Sequence, residues 1–148
     1  MKAIKEVEIR LHSVIDNLED GLPTGEPEIN ITTHRGFMIC EDTSLSVSYT
    51  ERGEGGEVKC TIRIYENGVS LSRRGAIISD LLFSEGEECR TSYAVGPYTF
   101  DMITLTKRVR GRIDLDGGEM TLLYVMSVGG QDKNCRMRIT VTPVKDGL

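Results

Sequence analysis

The sequence predicts an all-β fold: an antiparallel meander closed into a β-barrel. Three observations carry that expectation. Apolar residues recur at every second position through most of the chain, the period of a half-buried strand, and no segment holds a helical period long enough for a stable helix. The intervals are short and rich in Gly, Asn and Asp, so successive strands lie antiparallel. A meander of this length leaves two edge strands with unpaired backbone groups, and closure removes both.

The elements follow in order. Val7, Ile9 and Leu11 alternate with Glu6, Glu8, Arg10 and His12, which predicts a first strand. Residues 16–28 are acidic and contain Gly21, Pro23, Gly25 and Pro27, so they read as a loop. Residues 29–40 read as extended, with Ile29, Ile31, Phe37 and Ile39 on the core face. Leu45, Val47 and Tyr49 alternate with serines, and Arg52-Gly53-Glu54-Gly55-Gly56 is a turn. Val58, Cys60, Ile62 and Ile64 form the next apolar face. Asn67-Gly68 is then a hairpin signal, because both residues tolerate positive φ. Val69 and Leu71 restart the alternation, and strands are predicted over 77–83, 88–95 and 98–115. In the last of these, Tyr98, Phe100 and Met102 share one face while Ile103, Leu105, Val109 and Ile113 share the other. That phase break predicts a bulge near Met102–Thr104, or a strand apolar on both faces. Met120, Leu122, Tyr124, Met126 and Val128 share a face, as do Cys135, Met137, Ile139 and Val141. The total is about nine or ten strands.

The 148 residues make one domain, spanning 1–148. A net charge of −5, from 18 basic and 23 acidic residues, disfavours nucleic acid as a partner. No apolar stretch is long enough to span a membrane, and Met1-Lys2-Ala3-Ile4-Lys5-Glu6 lacks the apolar region of a signal peptide. Cys40, Cys60, Cys89 and Cys135 show no Cys-x-x-Cys spacing, which favours free thiols in a reducing cytoplasm over a disulfide framework.

The informative residues are polar groups in phase with the apolar faces. Arg73 continues the Val69–Leu71 face, and Glu51 continues the Leu45–Val47–Tyr49 face, so both point inward. A buried charge needs a partner. Either Glu51 and Arg73 satisfy each other and plug one end of the barrel, or Arg73 grips the carboxylate or phosphate of a ligand. In the second case the apolar wall holds the ligand's body, and Tyr49, Tyr93 and Tyr124 add hydroxyls. The run Lys107-Arg108-Val109-Arg110-Gly111-Arg112 places Arg108, Arg110 and Arg112 on one face, widened by Arg136 and Arg138 if the strands are neighbours; with no interleaved aromatics it reads as solvated. His12 and His34 have no metal-ligand spacing, and Asp114, Asp116 and Glu119 match no cation-binding loop. No metal or cofactor is called for, and no residue is singled out as catalytic.

The run Val69-Ser70-Leu71-Ser72-Arg73-Arg74-Gly75-Ala76, followed by Leu81-Leu82-Phe83-Ser84-Glu85-Gly86, resembles the central motif of the YwiB-like proteins. Tyr49 with Glu51, then Tyr93, Phe100 and Thr106, then Gly117, Gly118 and Tyr124, fit the family in order, from about residue 3 to residue 142. Ala94-Val95-Gly96-Pro97-Tyr98 stands where the family often has Thr-Pro-Tyr-Gly. These are uncharacterised bacterial proteins classed as a domain of unknown function. The resemblance implies a calycin-like barrel of about eight to ten strands, similar to the lipocalins, and no established activity.

The leading functional expectation is non-catalytic binding of a small amphipathic or anionic ligand inside the barrel. It requires an interior cavity of roughly 300 Å³ or more. The alternative is a protein-interaction or homodimerisation module with a filled barrel. The strands 98–115 and 120–128 motivate it, with Leu123 and Val125 opposite the Met120–Met126 face. Enzyme activity lacks a nucleophile–base pair to support it.

Overall fold

The computed structural model describes residues 2–145, so residue 1 and residues 146–148 of the expected domain lie outside the described residues. Every regular element in it is a strand: β1 (Lys2–Glu19), β2 (Leu22–Pro23), β3 (Glu28–Glu41), β4 (Ser44–Gly53), β5 (Gly56–Tyr65), β6 (Gly68–Gly75), β7 (Ile77–Ser84), β8 (Glu88–Val95), β9 (Tyr98–Asp114), β10 (Gly117–Val128) and β11 (Gln131–Pro143). All but β2 form an antiparallel barrel, with neighbours in chain order and β11 returning to pair with β1. The two-residue β2 folds back on the end of β1. One end of the barrel, the upper end below, carries the connections after β1, β4, β6, β8 and β10; the other connections lie at the lower end.

The alternation places the core as expected on most strands. Ile9, Ile62, Phe83, Leu122 and Ile139 are fully buried inside the barrel, and Val47, Val69, Met102 and Val141 join them from other strands. Burial of this apolar surface is the dominant stabilising term.

Four expectations are corrected. First, residues 16–19 are strand. Asp16 and Asn17 lie opposite Asn134 and Lys133 of β11, and the ladder already running along β1 carries these polar residues with it. Second, β3 faces the other way. Ile29, Ile31 and Phe37 are more than half exposed, at 57%, 51% and 53%, whereas Gly36 and Met38 are buried. Pairing of Ile9 with His34, and of Leu11 with Thr32, puts the even-numbered residues of β3 inward. Third, the bulge in β9 is at Lys107: Leu123 pairs with Arg108 and Tyr124 with Thr106, so Lys107 is the extra residue. It moves the inward face from Met102, Thr104 and Thr106 to Val109 and Ile113. Fourth, the β5–β6 hairpin turns through Glu66 and Asn67, between paired Tyr65 and Gly68, and neither Asn67 nor Gly68 has positive φ. Gly68 serves close approach instead, since a Cβ there would press on the Phe83 carbonyl.

Two seams are incompletely laddered. β3 pairs with β4 only from Gly36 and Tyr49 downward, so Glu28–Arg35 of β3 and Thr50–Gly53 of β4 splay apart toward the upper end. β7 pairs with β8 only over Ile77–Ser79 and Tyr93–Val95. There the 85–87 turn tucks over β9: the Gly86 N–H donates to the Thr106 carbonyl (2.8 Å) and the Thr106 N–H to the Glu87 carbonyl (3.2 Å).

Candidate functional site

The upper half of the barrel encloses a cavity of about 450 Å³. Each strand contributes inward residues in phase with its core face. On β6, Leu71 lies deeper and Arg73 nearer the rim; on β10, Tyr124 lies deeper, with Met126 and Val128 above it. β1 supplies Leu11, Ser13 and Ile15, while Met102, Leu81 and Met137 complete a largely apolar wall. Polar groups are few and converge: Arg73, Glu51, Tyr93, Lys133, Asn30 and Thr32. An apolar chamber with a few placed polar groups is the usual form of a small-molecule site.

Four of the five residues singled out from sequence, Arg73, Glu51, Tyr93 and Tyr124, line this one cavity. Tyr49 does not. It stacks on His34, with ring centroids 4.7 Å apart, and the two line a cleft at the β3–β4 seam. Its hydroxyl is buried without a hydrogen-bond partner, and burial raises its pKa, with the Cys60 thiol and the Glu51 carboxylate adding to the effect. Tyr124 packs on Phe83, centroids 4.7 Å apart, and burial raises its pKa too.

Arg73 is the singular group. Its Nε is buried and has no hydrogen-bond partner. Among the described residues no ion pair joins it to Glu51. Its sequence neighbour Arg74 is the one paired, through both Nη2–oxygen contacts to Asp80 at 3.0 Å. Glu51 and Arg73 therefore share the cavity wall without the direct ion pair that the plug considered from sequence would use. Lys133, a second cation on the same wall, escaped the sequence reading although it is in phase with Cys135 and Met137. Asn30 and Thr32 were hidden by the assignment of Ile29 and Ile31 to the core.

The chain matches the family described as Domain of unknown function (DUF1934) over residues 16–139. It belongs to that family. A relative from Bacillus subtilis (strain 168), named there as an uncharacterised β-barrel protein YwiB, is 24% identical over 142 residues, covering 96% of this chain and 95% of its own. The crystal structure of the ywiB protein from Bacillus subtilis superposes with a TM-score of 0.82 at 24% identity, covering 96% of this chain and 94% of that one. At that identity the superposition establishes a family fold, a β-barrel, and carries no activity with it.

The remaining candidates are dispersed. His12 points outward and His34 inward, and no group of His, Cys, Asp and Glu among the described residues is placed to hold a metal ion. The four cysteines are free thiols; burial pushes Cys60 up, and Cys135 up to about 11, the reverse of an activated nucleophile. Arg108, Arg110 and Arg112 are exposed on the outer face, where Arg110 pairs with Glu85 (2.9 Å) and Arg112 with Asp114 (3.4 Å). Arg136 and Arg138 of β11 lie across β10 from them, and Arg138 pairs with Glu119 (3.3 Å). No helix of the described residues is long and apolar enough to cross a membrane.

Proposed function

We propose that the upper cavity binds a small amphipathic anion without catalysing its conversion. The observation that carries this reading is Arg73: a guanidinium in an apolar chamber, with its Nε unpartnered and no carboxylate in ion-pair contact. Arg73 is partly exposed at the rim, and an incoming carboxylate or phosphate would engage its guanidinium through charge-assisted, bidentate hydrogen bonds. With Lys133 the wall holds two cations against one carboxylate, Glu51. Tyr93 supplies a further hydroxyl, and Leu71, Met102 and Met137 accept an apolar body. The free thiols fit a reducing cytoplasm as the site of action.

Calorimetric titration with straight-chain carboxylates from octanoate to hexadecanoate, and with the matching alcohols, tests the proposal. The wild type should bind one carboxylate per barrel. Arg73→Gln should weaken it by about tenfold to a hundredfold, as expected for loss of a charged hydrogen-bonded contact, and leave alcohol binding nearly unchanged. Absence of carboxylate binding by the folded wild type overturns the reading, as does a variant that loses stability yet keeps its affinity.

The interaction module retains one supporting observation. Leu105 is exposed beside Val125 on the outer wall, where β9 and β10 are apolar on both faces. The open chamber within favours the ligand reading.

A further inference from the structure

The β3–β4 seam leaves β3 with a free edge over Glu28–Arg35. A row of unsatisfied N–H and C=O groups is a template for another strand, and proteins usually protect such rows with charge, proline, a bulge or a covering loop. The second incomplete seam has protection: the free part of β7 is short, Asp80 is held by Arg74, and the 85–87 turn tucks in beside it. The β3 edge has charge only at its ends, Glu28 and Arg35. Glu28–Arg35 contains no proline or lysine and pairs with β1 without a bulge. Its outward face carries Ile29 and Ile31, both more than half exposed.

We propose that this edge pairs antiparallel with the same edge of a second copy of the chain, about a two-fold axis at Ile31. The segment is self-complementary in that sense. It begins acidic at Glu28, ends basic at His34 and Arg35, and is apolar or neutral between. Antiparallel pairing about Ile31 sets Glu28 opposite His34, whereas Arg35 keeps its own pairing with Glu6, and parallel pairing sets like against like. A two-fold axis normal to the sheet requires residues of the same face to meet. Centring on Ile31 meets that requirement: Ile31 faces its own mate, Ile29 faces Thr33, and Asn30 faces Thr32. The inward members of the segment, Asn30 and Thr32, line the upper cavity, so the added strand would continue its wall across the seam. The inference rests on the strand edge and not on the ligand reading, and unliganded protein tests it.

Sedimentation velocity over a concentration series should show a reversible dimer. Ile31→Lys, at a position 51% exposed, opposes two charges on the axis and should raise the dissociation constant at least tenfold, with the circular dichroism spectrum and urea midpoint retained. Ile31→Cys should form an intermolecular disulfide under mild oxidation, because residues facing each other in an antiparallel pair fall within bridging distance. Leu82→Cys, exposed on β7, should not. A wild type that stays monomeric at millimolar concentration overturns the proposal. So does a dimer indifferent to Ile31→Lys, or one that cross-links equally through both cysteines. Protection of 28–35 from hydrogen exchange only when an unrelated extended peptide is added would assign the edge to a different partner and overturn it as well.

Discussion

Cys135 sits inside the wall opposite Tyr124, where the cost of burying a thiolate outweighs the opposing pull of the Tyr124 hydroxyl and the Lys133 ammonium. Burial pushes its thiol from 9.0 up to about 11. The folded state therefore holds a proton that the unfolded chain releases. The stability this contributes is complete below about pH 9 and is lost as pH rises from about 9 through 11. Discounted for screening, the loss is about 1–2 kcal/mol. Urea midpoints should fall across that window, and Cys135→Val should flatten the fall; a midpoint equally steep in the variant would assign the effect to the raised Cys60, Tyr49 and Tyr124 groups. At this scale the sequence was informative wherever a polar residue interrupted an apolar phase. Arg73 and Glu51 were found that way, and Lys133 could have been. What phase could not supply was distance: Glu51 and Arg73 share a cavity without forming an ion pair, and only the spacing of the closed strands decides that.

β3 shows what limits the reading of an element. At the upper end its outward residues Ile29 and Ile31 are apolar, while its inward face is Asn30 and Thr32, which border the cavity, and His34, which lines the seam cleft. A rule that equates apolar with inward fails where an interior site takes a few polar residues into its wall. The bulge at Lys107 was misplaced for a related reason. Phe100, on the inward phase, reaches the upper rim and is 41% exposed, so the apolar pattern drifted before the backbone did. Gly36 marks the point where β3 and β4 separate. A Cβ there would press on the Ser48 carbonyl and lie 3.0 Å from Ile9 Cδ1. Gly36→Ala should cost about 1–3 kcal/mol, the range for overpacking against atoms that cannot move aside. The seam should open further down, seen as faster hydrogen exchange at residues 45–49. An unchanged midpoint would mean that the strands yield there freely.

Closure of the whole molecule depends on the most distant pairing in the chain, β1 with β11. It was legible as an argument about edges, since no local pattern in either strand names the other as partner. Contacts so far apart in sequence carry the largest loop-closure cost, which places them late in folding. Ile9, fully buried and paired with Val141, reports on that step. Ile9→Val should cost about 1 kcal/mol, appearing as roughly fivefold faster unfolding with folding changed less than about twofold. A matching slowdown of folding would place closure in the transition state. The same pairing sets a schedule during synthesis. β1 is complete when Glu19 is added, and its partner begins only at Gln131, more than a hundred residues later. At ribosomal rates of about 5–20 residues per second, one side of an eighteen-residue strand stays uncovered for roughly 5–20 s on every nascent chain. A holdase or a slow stretch of codons acting before β11 emerges would then change the yield of folded barrel without touching a single native contact.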